Sequence, residues 1–515
     1  MKNFFILILL FLVGFWSKAQ MSPQSKKITN KYFPELEIEI NTPAFQKKKG
    51  FTNYEELMSF LNQKVSKYPN LISLKFIGTS QEGKEIPQVT LTNLSSKEAK
   101  IRCWMQGGLH GNEPASTEGV LMLIDQLLSN DTLIPLLDKL EIAIVPMANI
   151  DGSEIQNRYA SNGLDLNRDQ TKLACQESVY LKQAFSQFDA YVALDFHEYR
   201  PYRRDYAKLS EWGVTSSYDV MFLYSGNLNV PKELRDFTQG KFVNPAKQKM
   251  AALGFTHHDY FSTTKDLGEL QINQGSVNAR SSATSYALTN CVSSLIEVRG
   301  VGLTRTSFKR RTFTNYSIGL SYLKSAVLNE TELMNIVKNA RTNPNKEAIV
   351  KSVRKTSKGS VKLIDVSSTE NLNIELVIND AWYSYPTLSR KKPTAYLIKK
   401  DQKIVFVKLK ILGLQLDSLK EKSVIAVERY VVTKYTQDAE EYEGARMQHV
   451  STDINEITQE FPKGTVILYL NQPKGNIAIE VLEPEASNSF VSFDLIKTEL
   501  GEELPIYRYV LPNKL

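Results

Sequence analysis

The sequence predicts an α/β fold followed by a smaller, β-rich C-terminal domain. Over roughly the first 315 residues, short apolar strands alternate with helical segments, which is the pattern of a sheet covered by helices on both faces. Beyond about residue 360, strand-forming segments are separated by turns such as Pro462-Lys-Gly464. Because ligands of α/β sheets bind where strands end and loops begin, we expect functional residues at those ends.

The first 19 residues have the pattern of a signal peptide. Lys2 precedes an apolar run from Phe4 to Trp16, and Ser17-Lys-Ala19 supplies small residues at the cleavage-defining positions. A membrane anchor is the alternative, but the run is short for a bilayer span. We therefore expect an exported protein, periplasmic or extracellular, without a stable membrane span after cleavage.

The rest of the chain divides into three parts. A polar extension covers residues 20–48, the α/β domain covers 49–340, and the β-rich domain covers 360–515. The α/β domain opens with a helix that begins at the capping-box pair Asn53 and Glu56. Its further elements follow as a strand at 101–106, a helix after Pro114, and strands at 142–146, 190–196 and 292–298.

The C-terminal domain carries no chemical motif. Its strands are predicted at 361–366, 404–407 and 465–470. Structural support is the default role, while binding of a partner or of carbohydrate stays open.

Composition excludes several classes of protein. The 515 residues are 42% hydrophobic and 23% charged, which is ordinary for a globular protein with a sizeable core. The net charge is +7, but the basic residues are scattered in short clusters, so we expect solvated faces and no nucleic-acid partner. Three cysteines are too few for a disulfide framework; buried thiols are expected, with one disulfide possible.

A metal site is the first chemical prediction. His110 and Glu113 are separated by two residues in the glycine-rich turn that follows the 101–106 strand, and His197 ends another buried strand. Catalytic zinc needs three protein ligands and one open position, which these three side chains would supply. A buried structural role is the alternative for His197.

Charged and amide residues between these ligands in the chain suggest a second kind of chemistry. Arg158 and the run Asp165-Leu-Asn-Arg168 offer planar guanidinium groups and an amide that match a carboxylate; taken alone, this segment would more simply be read as surface polar residues and salt bridges. Glu297 stands inside an apolar strand, where a charge is costly unless it is paired or works chemically. It is either a general base or the partner of Arg299, whose position at the strand end suggests that it points to solvent.

Taken together and in this order, these residues resemble the zinc metallocarboxypeptidase family that includes the pancreatic carboxypeptidases. The resemblance spans roughly residues 50–315. It implies a three-layer α/β/α fold with a mixed eight-stranded sheet, one zinc ion per chain, and hydrolysis of the C-terminal bond of peptides that have a free carboxylate.

The resemblance also implies a role for each matching residue. The zinc ligands would be His110, Glu113 and His197. Glu297 would be the general base, and Arg158 would stabilise the oxyanion. The roles nearer the substrate fall to Asn167 and Arg168, which would bind its terminal carboxylate, and to Asp165, which would accept a hydrogen bond from His110.

One segment departs from the family pattern. The family carries a mobile tyrosine about twenty residues before the catalytic glutamate, whereas Gln274 to Ser281 contains none. Tyr286 and Arg280 are the alternative substrate contacts. Because the same segment sets side-chain preference, the sequence does not predict that preference.

Two other functions stay open at this point. A zinc amidase acting on cell-wall peptides would use the same ligands. A non-catalytic peptide-binding protein on the same scaffold is the other, although the presence of all three ligands together with Glu297 argues against it.

Overall fold

The computed structural model describes residues 24–342 and 345–515. The predicted signal peptide lies outside these residues. Among the helices in the described ranges, none combines the length and the apolar character that a membrane span requires.

A mixed eight-stranded sheet forms the centre of the α/β region, in the order β1-β2-β4-β3-β5-β11-β7-β8. Its strands are β1 Ile72–Thr79, β2 Glu85–Leu91, β3 Ile101–Gln106, β4 Leu140–Val145, β5 Val192–Tyr199, β7 Val220–Tyr224, β8 His257–Asp259 and β11 Val292–Arg299. Neighbouring strands β4, β3, β5 and β11 are parallel, so their carboxyl ends lie at one edge of the sheet.

Helices cover both faces of this sheet. The helices of the region are α1 Lys26–Tyr32, α2 Tyr54–Lys67, α3 Pro114–Ser129, α4 Ile150–Glu154, α5 Gln176–Phe188, α6 Lys232–Thr238, α7 Asn244–Ala252, α8 Ser282–Ala287, α9 Phe308–Leu328 and α10 Glu330–Thr342. On one face, Gly319 of α9 packs so closely that an added Cβ would lie 3.0 Å from Leu123 of α3 and 3.2 Å from Phe196 of β5. On the other, Trp104 of β3 packs edge-on against Phe185 of α5, with ring centroids 5.7 Å apart. The predicted three-layer fold is confirmed.

Two further sheets make up the β-rich part. One has the order β6-β12-β13-β10-β9 and the other the order β15-β18-β14-β19-β16-β17. Their strands are β6 Val214–Ser216, β9 Phe261–Asp266, β10 Glu269–Gln274, β12 Glu347–Asp365, β13 Asn371–Lys391, β14 Ala395–Ile398, β15 Asp417–Ser418, β16 Ser423–Gln437, β17 Gln448–Phe461, β18 Val466–Tyr469 and β19 Glu503–Tyr509. The five-stranded sheet therefore joins strands from both sides of the expected domain boundary.

The prediction of a strand at 404–407 is wrong, because this segment lies in helix α11, Lys403–Ile411. Val405 and Leu409 are fully buried, whereas Ile404 and Val407 are 52% and 57% exposed. Burial thus recurs at a spacing of four residues, and packing of that face overrides the strand preference of β-branched side chains. A last helix, α12, covers Gly475–Leu482.

The hydrophobic core runs through both parts without interruption, since Trp104 and Tyr396 belong to one cluster of buried side chains. The extension before α2 packs on the same body. Phe33 lies under the Arg299 guanidinium at 4.2 Å, and Glu35 accepts a hydrogen bond from the Phe308 amide at the start of α9. All three cysteines are buried free thiols.

Candidate metal centre and substrate cavity

The sheet topology brings the predicted ligands together. His110 follows β3 through a tight turn in which Gly108 has φ +65° and any side chain would press on Thr117. In the parallel register of β5 and β11, Glu297 pairs with His197. The three neighbouring strands β3, β5 and β11 therefore place these side chains at one edge of the sheet.

The ligand cluster consists of His110, Glu113 and His197, each at most 2% exposed. His110 Nδ1 lies 2.8 Å from Glu113 Oε1, and His197 Nδ1 lies 2.9 Å from Glu113 Oε2. The two Nδ1 atoms are 3.0 Å apart. Three potential metal ligands thus converge on one point.

The outer nitrogen of each imidazole contacts an aspartate. His110 Nε2 lies 3.0 Å from Asp165 Oδ1, and His197 Nε2 lies 2.8 Å from Asp195 Oδ2. An aspartate acceptor favours the proton on Nε2, so that in the neutral ring the Nδ1 lone pair faces Glu113. Two such nitrogens and a carboxylate converge in a buried place, and this donor set fits Zn²⁺.

Asp195 was not predicted from the sequence. It lies two residues before His197 in the same strand, where alternate side chains share a face, and that spacing was the available signal. Burial lowers the pKa of His197, but Asp195 and Glu113 outweigh it and raise this pKa well above its usual value.

Glu297 lies beside the cluster, half-buried, on the wall of a cavity. Burial, followed by the charge of Glu113, raises its pKa to about 7. Its Oε2 has no hydrogen-bond partner among the described residues. Arg299 is not the partner of Glu297. The sequence suggested that Arg299 points to solvent, and this is wrong: the residue is 3% exposed and donates a hydrogen bond to Gln24 Oε1 at 2.7 Å.

A cavity of about 470 Å³ opens in front of this edge. The predicted residues on its wall are His110, Arg158, Asn167, Arg168, Arg280 and Glu297.

Tyr286, predicted as a substrate contact, does not line the cavity. Helix α8 turns it into the core, where it stacks on Phe185 at 4.0 Å and donates to Gln106 Oε1 at 2.8 Å. A different tyrosine, Tyr260, lies on the cavity wall. No sequence motif pointed to Tyr260, because it precedes β9 and is far along the chain from Glu297.

The polar residues of the wall are held in fixed orientations. Arg158 donates through Nη2 to Asp165 Oδ2 at 2.9 Å, and its Nη1 lies 3.4 Å from Glu113 Oε1. Asn167 Oδ1 accepts from the Ser282 amide at 2.9 Å, which leaves the amide N–H groups of Asn167 available to a ligand. Such donors match a carboxylate or a developing oxyanion.

Comparisons with known proteins agree on one family. Residues 57–248 match the family model described as zinc carboxypeptidase. Over 439 residues the chain is 29% identical to Carboxypeptidase 2 of Trichophyton rubrum, which covers 83% of this chain and 81% of that protein. Over 110 residues it is 33% identical to the zinc carboxypeptidase of Saccharothrix mutabilis subsp. capreolus, covering 20% of this chain and 25% of that protein.

Solved structures with similar coordinates include a metallo-carboxypeptidase from Burkholderia cenocepacia, with a TM-score of 0.42 and 18% identity over 54% of this chain and 70% of that one. The carboxypeptidase A of Helicoverpa armigera gives a TM-score of 0.43 and 18% identity over 56% of this chain and 78% of that one.

Proposed function

Because this chain is a member of the zinc carboxypeptidase family, and so a peptide hydrolase with one zinc ion, we propose that it releases the C-terminal residue of peptides with Glu297 as the general base. One observation carries the proposal. The Glu297 carboxylate, without a partner at Oε2 among the described residues, lies beside the ligand cluster and in the same cavity as Asn167 and Arg168.

The ligand cluster His110, Glu113 and His197 would hold the ion. When bound, zinc supplies Lewis-acid activation of a water molecule and of the scissile carbonyl. Asp165 and Asp195 keep each imidazole in the tautomer that presents its Nδ1 lone pair.

Glu297 moves the proton. As a carboxylate it accepts a proton from the attacking water and then gives that proton to the leaving amine. A pKa raised to about 7 by burial and by Glu113 suits both halves of this task, since an effective base titrates near the working pH.

The cationic and amide donors of the wall bind the substrate. Arg158, fixed by Asp165, would stabilise the oxyanion of the carbonyl under attack. Asn167 and Arg168 would bind the terminal carboxylate and so restrict the enzyme to free C-termini. Export, periplasmic or extracellular, is part of the same proposal and is supported by the signal-peptide pattern of the first 19 residues.

The test pairs Glu297→Gln with a matched control, Glu347→Gln, which removes a carboxylate from an exposed position outside the cavity. Both variants and the wild type are expected to bind one zinc ion per chain, measured by plasma mass spectrometry. Hydrolysis of N-blocked dipeptides should survive in the control and fall by about a thousandfold in Glu297→Gln. Wild-type rates in Glu297→Gln would contradict the proposal.

A further inference from the structure

The cavity wall is strongly cationic. Six arginines line it, namely Arg158, Arg168, Arg200, Arg203, Arg280 and Arg354, against two carboxylates, Glu198 and Glu297. Glu198 is already paired with Arg311 behind the wall, at 2.9 Å. The residues that line the cavity therefore carry a net positive charge.

Most of these arginines have no acidic partner. Arg158 is bound to Asp165 and approaches Glu113. For the other five, no carboxylate of residues 24–342 or 345–515 lies within 4.0 Å. Binding of a terminal carboxylate and of an oxyanion employs Arg158 and Arg168, which leaves several cations without a task in that reaction.

Two of the remaining arginines belong to or contact the segment from Gly275 to Ser281, which forms part of the wall: Arg280 lies within it, and Arg354 approaches it from β12. Arg354, on β12, donates from Nη2 to the Gly275 carbonyl at 3.3 Å, and its Nε is buried without a partner in the described chain. Arg280 lies over the ring of Tyr442 at 5.0 Å. Both are half-buried, so their charges act in a medium that screens less than bulk water.

Grouping like charges in a half-buried cavity is unfavourable unless an anion occupies it. Burial lowers the pKa of Arg280; Arg168 lowers it further, while Tyr442, Glu443 and Asp165 raise it without cancelling the fall. Burial likewise lowers the pKa of Arg354, against the raising charge of Asp380. A bound carboxylate would relieve both effects, because guanidinium groups pair with carboxylates through two parallel hydrogen bonds.

We propose that this cavity selects peptides whose C-terminal residue has an acidic side chain, with Arg354 and Arg280 as the residues that bind the side-chain carboxylate. The inference rests on the proposed carboxypeptidase function and names its substrate class. It also gives the β-rich part a role in specificity.

The β-rich part reaches the cavity at two places. Strand β12 supplies Arg354 to the wall directly. The loop between β16 and β17 supplies Tyr442 against Arg280, and Glu443 of the same loop accepts a hydrogen bond from the Asp165 amide at 3.0 Å. Specificity is thus built partly from residues outside the segment 57–248 that matches the family model.

The decisive comparison uses N-blocked dipeptides that end in Glu, Gln or Leu. Glu and Gln have nearly the same shape and differ in charge, so general attraction of the terminal carboxylate affects them equally. For the wild type we expect kcat/KM to be at least about tenfold higher for Glu than for Gln. Equal values, or a preference for Gln or Leu, would overturn the inference and leave the proposed function standing.

Substitutions on the cavity wall test which residues cause the preference for Glu over Gln. Arg354→Gln and Arg280→Gln should each lower the Glu-to-Gln ratio by about fivefold or more, and Arg354→Lys should restore part of it. The matched control is Lys355→Gln, which removes the same charge from the next, exposed residue of β12; its ratio should stay at the wild-type value. A fall in Lys355→Gln as large as in Arg354→Gln would reject a local contact.

A binding measurement separates this inference from the proposed function. In the Glu297→Gln protein, calorimetry should show tighter binding of the Glu dipeptide than of the Gln dipeptide by about fivefold or more. Absence of hydrolysis for every dipeptide would defeat the proposed function, whereas this titration still decides the inference. Equal binding of the two dipeptides would overturn it.

Discussion

Two regions of the site are built on opposite principles. The inner cluster is the ligand cluster with its two aspartates and Glu297, and the outer wall is the part of the cavity lined by Arg280 and Arg354. In the inner cluster, each imidazole has one nitrogen on Glu113 and the other on an aspartate, and the rings are almost fully buried. In the outer wall, Arg280 and Arg354 are half-buried and lack acidic partners among the described residues. The inner groups form a cage that a cation completes, whereas the outer groups form a surface that an anion completes.

The difference teaches where each property of the enzyme resides. The sheet fixes the inner cluster, because β3, β5 and β11 are adjacent and parallel. Loops and the β-rich hairpins assemble the outer wall. Changes in the inner cluster should therefore alter zinc binding and the chemical step, and changes in the outer wall should alter the choice of substrate.

Arg158 lies between the two regions and gives the largest expected effect. It is held by Asp165 of the inner cluster and faces the cavity. Arg158→Gln should lower kcat by about a hundred- to a thousandfold, the usual effect of losing one oxyanion donor, while zinc content stays at one per chain. Steady-state kinetics and metal analysis on the same sample test this, and a loss confined to KM would assign Arg158 to the outer wall.

Asp195 tests how far the inner cluster depends on its supporting carboxylates. Asp195→Asn removes the acceptor charge from His197 Nε2 and should weaken zinc binding by about ten- to a hundredfold. Competition with a fluorescent chelator measures this. Unchanged zinc affinity would mean that the sheet alone orients His197.

Sequence reasoning predicted the inner region far better than the outer one. His110 and Glu113 share one turn, and His197 and Glu297 each stand in a recognisable buried strand, so local patterns sufficed. Asp195 was missed although its spacing from His197 in the strand pointed to it.

The outer wall gave no such local signal. Arg354 and Tyr442 are distant in sequence from the motif and reach the cavity through hairpins whose packing no short pattern describes. The burial of Tyr286, predicted as a substrate contact, was missed for the same reason, since the direction in which α8 turns its side chains depends on tertiary packing.

A fall in pH should lower kcat/KM through protonation of Glu297 and should leave the preference between Glu and Gln substrates unchanged. Burial raises the pKa of Glu297 to about 7, and a bound cation would lower it from there, so the base is ionised at higher pH and becomes protonated as pH falls. We expect kcat/KM to fall on the acidic side with an apparent pKa at or below about 7. The Glu-to-Gln ratio should stay constant from about pH 6 to pH 9, because arginine and the substrate carboxylate remain charged; a pH–rate profile for both dipeptides checks this.

Tyr442 gives the smallest expected effect and tests the outer wall alone. Its ring lies 5.0 Å from the Arg280 guanidinium, a contact worth about 0.5–1 kcal/mol at a partly exposed site. Tyr442→Ala should raise KM for the Glu dipeptide by about two- to fivefold with unchanged zinc affinity. Loss of zinc in this variant would show that the two regions are coupled.

The most direct measurement of the central claim compares one peptide with a free C-terminus and the same peptide with a C-terminal amide. Products are identified by mass spectrometry with the zinc-loaded wild type. Because Asn167 and Arg168 are assigned to the terminal carboxylate, we predict release of single residues from the free end and a rate at least about a hundredfold lower for the amide. Comparable cleavage of the amide, or cleavage at internal bonds, would contradict the account.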